Sequence, residues 1–88
     1  MAWFAKIEAG IVDKKTFDQY VPDHKQYVQE LINEGHEAKT GYWGEYGGGM
    51  LLFKAASLEE AQAIVKQDPL IVNHCVKYEL HEWCVVVE

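Results

Sequence analysis

At 88 residues the chain is sized for one domain with a modest core, and no apolar run reaches the roughly 20 residues of a membrane span. Its net charge is −6 and all eight basic residues are lysines. Without arginine forks or a positive surface, nucleic acid is not an expected partner. The segment MAWFAKIEAG has neither the basic region nor the apolar core of a signal peptide, which points to a cytoplasmic address away from membranes.

Residues 2–8 read as a strand, with Trp3, Ala5 and Ile7 on one side and Phe4, Lys6 and Glu8 on the other. Gly10 ends it. Residues 11–21 form a connector in which Asp13 is placed to cap a short helical turn, with Phe17 and Tyr20 packing inward. The principal helix is expected over 21–35. Pro22 suits its first turn, and His24, Tyr27, Val28, Leu31 and Ile32 share one face. Gly35 supplies the left-handed residue on which helices commonly end. On this reading His24 heads an otherwise apolar stripe at the helix start.

A second strand is expected over 36–43. The glycine-rich GEYGGG turn, residues 44–49, leads into a third strand over 50–56 that is apolar enough to be central. Ser57-Leu-Glu-Glu60 is a capping box opening a helix on which Ala61, Ile64, Val65 and Asp68 share a face, and Pro69 stops it. A last strand is expected over 76–87. Cys75 and Cys84 then fall in what reads as one strand, where nine residues span about 30 Å. That is too far for a disulfide, so both are expected to be free and mostly buried.

The order β-α-β-β-α-β is that of a ferredoxin-like α+β sandwich, with two helices on one face of an antiparallel sheet. The uncovered face, expected to carry Phe4, Leu51, Phe53, Trp83 and the valine-rich tail, is too apolar to stay wet and calls for a homodimer. In this topology the first helix begins where the second finishes. His24 and Asp68 are thereby brought to one end of the molecule, together with Glu8, the 43–49 loop, Asn73, His74 and Cys75.

A His–Asp pair there would hold the imidazole in one tautomer and poise it as an acid or base near neutral pH. Two readings of the residues stand side by side at this point: a catalytic dyad, or a structural histidine and a polar stop before proline. Tyr42 and Tyr46 are candidate walls of an aromatic-substrate pocket, with His74 beside them, whereas Trp43 reads as core. No close histidine or cysteine spacing indicates a metal, and the glycine run matches no phosphate-binding motif.

The sequence resembles the YciI-like (YCII-related) family of dimeric α/β-barrel proteins. The resemblance covers nearly the whole chain and rests on DHKQYVQELINEG, the hairpin ending in GGGMLLFKA, SLEEAQAIVKQDPLIV and KYELHEW. It implies a ferredoxin-like protomer, a homodimer with facing sheets, and an active site built on a helix histidine and the aspartate of the DP motif. Those map onto His24 and Asp68. A hydroxyquinone dehydrochlorinase belongs to the family, and related barrels include muconolactone isomerases. The chain departs from the family in having no arginine and in carrying Asn73-His74 where a small pair often stands. The implied function is a small cofactor-independent enzyme moving protons on a cyclic or aromatic metabolite. The rival is a non-catalytic module binding a small molecule or a partner.

Overall fold

Two cross-strand alternations set the layers. The computed structural model describes residues 1–45 and 47–88, in which β1 (Ala2–Gly10) pairs antiparallel with both β3 (Gly48–Ala55) and β4 (Val76–Trp83), while β2 (Lys39–Tyr42) pairs with β3. The sheet order is β2-β3-β1-β4. Facing partners share a side of the sheet, so Phe4 sits beside Phe53 and Lys6 beside Leu51. All four are fully buried, with Ala55, beneath the helices α1 (Lys14–Asn33) and α2 (Leu58–Val65). This is the expected α+β ferredoxin-like sandwich.

The faces are assigned differently from expectation. Phe4, Leu51 and Phe53 form the core under the helices with Val28, Leu31, Ile64 and Val65. The open face instead carries Trp3, Ala5, Ile7, Met50 and Leu52, with Trp83 paired to Trp3 at its margin. Both strand faces are apolar, so hydropathy alone did not say which one the helices cover.

The principal helix is longer than expected because the connector belongs to it. Asp13 caps it by accepting from the Thr16 N–H at 3.1 Å, and Pro22 lies inside the helix, not at its first turn. Phe17 and Tyr20 precede His24 at helical spacing on the same stripe, so His24 is mid-helix. At the far end Gly35 adopts φ 89°. The N–H groups of Gly35 and His36 bond back to the carbonyls of Ile32 and Leu31, the double closure of a Schellman motif.

The Ser57 capping box forms, with Glu60 N–H donating to Ser57 Oγ at 3.1 Å and Ala56 N–H donating to Glu60 Oε1 at 2.9 Å. Its helix ends at Val65, before Asp68. A further single turn, α3 (Pro69–Val72), follows, with Asp68 as its N-cap. Asp68 thus opens a helical turn. A carboxylate at the start of a helical turn and a histidine in mid-helix incur no penalty from the helix dipole. Strand β4 stops at Trp83, so the two cysteines do not share a strand: Cys75 is buried before it and Cys84 is exposed after it.

Strand β2 rides up over β3 at Gly49. A Cβ added there would lie 2.1 Å from the Gly41 carbonyl oxygen and 3.0 Å from Tyr42 Cα. Gly49→Ala is therefore expected to expel β2 from the sheet edge and cost about 3 kcal/mol or more. Urea denaturation and amide exchange across residues 39–42 would measure this; unaltered protection of those amides would contradict it.

Candidate functional site

The alternation of β1 places two charged residues in the core layer. Lys6 is completely buried and Glu8 is 7% exposed. Asp68, also completely buried, reaches them from the start of α3, and His24, 7% exposed, from the middle of α1. Lys6 Nζ donates to Asp68 Oδ2 at 2.5 Å and lies 3.3 Å from Glu8 Oε2. Asp68 Oδ1 accepts from the Leu70 N–H at 2.9 Å and lies 2.9 Å from His24 Nδ1. His24 Nε2 is 3.1 Å from Thr40 Oγ1 on β2. A continuous polar chain therefore runs Glu8, Lys6, Asp68, His24, Thr40, beside a mainly aliphatic and aromatic core.

Proton positions follow from charge. Burial is the largest influence on Asp68 and raises its pKa. The hydrogen bond from His24 and the positive charge of Lys6 oppose it and together prevail, holding the carboxyl below its usual value. Asp68 is then ionised at neutral pH and can only accept, so His24 Nδ1 carries the hydrogen. In the neutral ring Nε2 is left as an acceptor, and the Thr40 hydroxyl is its donor. Among the described residues Glu8 Oε2 has no hydrogen-bond partner beyond the charge of Lys6.

The negative charges reach neighbouring groups. Burial, followed by the charges of Asp68 and Glu8, raises the Tyr27 pKa, and that phenol donates to the Ile64 carbonyl at 2.6 Å. Burial and then Asp68 raise the Cys75 pKa, which keeps it a thiol and removes it as a nucleophile.

His24 and Asp68, both candidates from the sequence, lie within hydrogen-bond distance of each other. Tyr42 lies two residues beyond Thr40 on the same face of β2 and is 88% exposed. His74 is exposed at the end of α3 with φ 56°, and no hydrogen bond among the described residues links it to the cluster. Tyr46 lies outside the described residues. Trp43, expected in the core, is 43% exposed, its ring close against Gly48.

Two residues of the cluster were not anticipated, Lys6 and Thr40. Lys6 had a sequence signal, since Phe4, Lys6 and Glu8 alternate together; Thr40 had none. A cleft of about 390 Å³ opens at the Glu8 end, lined by Glu8, Ala9, Trp43, Glu45, Gly47 and Gly48. Another of about 480 Å³ lies between α1 and α3, where Asp23, Tyr27, Gln67 and Pro69 flank the His24–Asp68 pair. Those residues neighbour the pair in sequence, but neither cleft is lined by His24, Asp68 or Thr40. No group of three metal-ligating side chains occurs among the described residues, and no helix is long and apolar enough to cross a membrane.

The fold and the buried ionic cluster define a ferredoxin-like α/β protein, and the solved structures most usefully set beside it share that fold. One is 5-chloro-2-hydroxyhydroquinone dehydrochlorinase from Burkholderia phenoliruptrix AC1100, in complex with 2,5-dihydroxybenzoquinone. It superposes with a TM-score of 0.72 at 15% identity, covering 93% of each chain. The designed protein Ferredog-Diesel matches with a TM-score of 0.65 at 13% identity, over 93% of this chain and 85% of its own. In sequence, the uncharacterized protein YjpA of Bacillus subtilis (strain 168) is 29% identical over 70 residues, 80% of this chain and 82% of the relative. No family model matches the chain. An enzyme and a designed scaffold share this backbone alike, so the fold does not decide the chemistry.

The Asp68 shift has a defined sign. A carboxyl whose folded pKa lies below its unfolded value contributes stability above the unfolded value, near 4, and loses it as pH falls through the folded one. Asp68→Asn is expected to lower stability at neutral pH and to flatten the acid limb below about pH 4. Denaturant unfolding of both proteins from pH 7 to 2 measures this; parallel acid limbs would show that Asp68 is not the group responsible.

Proposed function

We propose that this chain is a YciI-like enzyme that works without a cofactor and moves protons on a small cyclic or aromatic metabolite able to form an enol. The observation that carries this reading is the imidazole of His24, clamped at Nδ1 by a buried, ionised carboxylate with its other nitrogen directed at the hydroxyl of Thr40, an exposed residue of the edge strand. His24 is the acid or base. Asp68 fixes its tautomer and stabilises the imidazolium formed when the ring takes a proton. Isomerisation and elimination of a leaving group both need that step and no redox partner. Tyr42, Tyr46 and His74 are assigned to substrate contact.

The like-folded dehydrochlorinase acts on a chlorinated hydroxyhydroquinone, by its name, which supports hydroxylated quinoid rings as the first class to try. A panel of hydroxyquinones, lactones and cyclic enones, with 2,5-dihydroxybenzoquinone and 3-cyclohexenone among them, would be tested for binding and for proton exchange or isomerisation. Wild type is expected to turn over a member of the panel, and His24→Ala to lose about 10²-fold or more of that rate. A ligand bound and handled equally by His24→Ala would favour the rival reading, a non-catalytic binding or interaction module. The deep burial of His24 is the feature on that side.

The open sheet face supports a homodimer within the same proposal. Ile7 is 40% and Trp83 50% exposed there, beside Trp3, Met50 and Leu52, and two sheets stacked about 10 Å apart would cover them. The free cysteines fit a reducing, cytoplasmic setting. Sedimentation velocity at micromolar concentration is expected to show a dimer, and Trp3→Glu to shift it to monomer. A well-folded wild-type monomer at that concentration would contradict this.

A further inference from the structure

His24 has no free nitrogen. Its side chain is 9% exposed, Nδ1 is held by Asp68 at 2.9 Å and Nε2 by Thr40 Oγ1 at 3.1 Å. A histidine so enclosed cannot touch a bound molecule unless one of those partners leaves or serves as the intermediary. Asp68 is completely buried and anchored by Lys6 and the Leu70 N–H, so it does neither. Thr40 is exposed, on an edge strand four residues long. Its oxygen has lone pairs left over after the hydroxyl hydrogen is given to Nε2.

We propose that the Thr40 hydroxyl is the group through which His24 meets its substrate, carrying the proton between Nε2 and the bound molecule. This rests on the acid–base reading above and deepens it by naming the catalytic residue at the surface. The step balances. As a carbon acid, α to a carbonyl of the bound ring, gives its proton to Thr40 Oγ1, the hydroxyl's own hydrogen passes to His24 Nε2. The electron pair stays on the substrate as an enolate, and the imidazolium forms beside ionised Asp68. Reversal delivers a proton to another carbon, giving isomerisation. Alternatively the pair expels a leaving group and the ring returns its proton to solvent through the same hydroxyl.

The geometry also narrows the substrate. Tyr42 follows Thr40 on the same face of β2, and a two-residue strand step is about 6.6 Å. A planar ring of one cycle can therefore lie against the Tyr42 phenol with its acidic carbon at Thr40.

The path can be read without a substrate. Once the ring is protonated, the Nε2 hydrogen exchanges with solvent through whichever group covers that nitrogen, here the Thr40 hydroxyl, so ¹⁵N-resolved NMR of Nε2 proton exchange reports the route. Thr40→Ser keeps the hydroxyl. Thr40→Val keeps the shape and favours a strand, so both variants should fold. Exchange in Thr40→Ser is expected to stay near the wild-type rate, and in Thr40→Val to slow by on the order of tenfold or more. Turnover of any probe from the panel should follow the same order.

Unchanged exchange in Thr40→Val overturns the proposal. Turnover that survives Thr40→Val but not His24→Ala also overturns it, and leaves the acid–base reading intact. Slowed exchange in Thr40→Val, with no member of the panel turned over by wild type, supports the proton path and counts against the enzymatic reading instead.

Discussion

The buried carboxylate of Asp68 is the constraint to which the rest of the structure answers. A carboxylate removed from water is tolerated only when its oxygens are occupied by donors and its charge is met. Here one oxygen receives Lys6, and the other receives the Leu70 N–H and the His24 ring. Those donors come from β1, α1 and α3, so the carboxylate ties three elements distant in sequence. Removing one partner of such a pair typically costs about 3–5 kcal/mol, a large share of what a domain this size has in hand. The pair is thus structural and chemical at once: the contacts that keep Asp68 charged also fix which nitrogen of His24 carries the hydrogen.

The other half of the site depends on backbone packing at the opposite sheet edge. Thr40 is carried by the edge strand β2, whose backbone at Gly41 and Tyr42 packs so close to β3 at position 49 that no side chain fits there. The glycine-rich segment, which in sequence is only a turn, therefore bears on the strand that brings Thr40 to the imidazole. Meanwhile the Schellman closure at Gly35 turns the chain out of α1, and Lys54 N–H donates to the His36 carbonyl at 2.7 Å, which anchors the segment leading into β2.

The sequence made the sandwich legible because its signals were local and consistent: the Ser57 capping box, the Gly35 terminator, Pro69 and the alternation of the strands. His24 and Asp68 stood out as polar residues on apolar stripes, but they meet from positions other than those expected, His24 from mid-helix and Asp68 as the cap that opens α3. What was missed has physical causes. The stripe of α1 extends back through Tyr20 and Phe17, but Pro22 invites a boundary that tertiary packing overrides. Asp68 reads as a helix end because the single turn after Pro69 is too short to show periodicity. The choice of buried sheet face was ambiguous because both sides of β1 carry an aromatic residue. Thr40 gave no signal, since a threonine on an edge strand is unremarkable until the backbone places it against a ring nitrogen.

The buried Lys6 also bears on how such a chain could diverge. Lys6 faces two carboxylates, so a lineage that loses the lysine alone is left with two stranded negative charges in its core. One that loses Asp68 alone leaves a lysine paired only with Glu8 and a histidine held only at Nε2, by Thr40. Changes at positions 6, 8 and 68 are therefore expected to be tolerated best in combinations that preserve the charge sum, because each single step unbalances a buried ion pair. The first strand, which looks like mere scaffold, would then evolve in step with the DP segment, and relatives that keep the dyad but lack the lysine must have neutralised the carboxylate by another route.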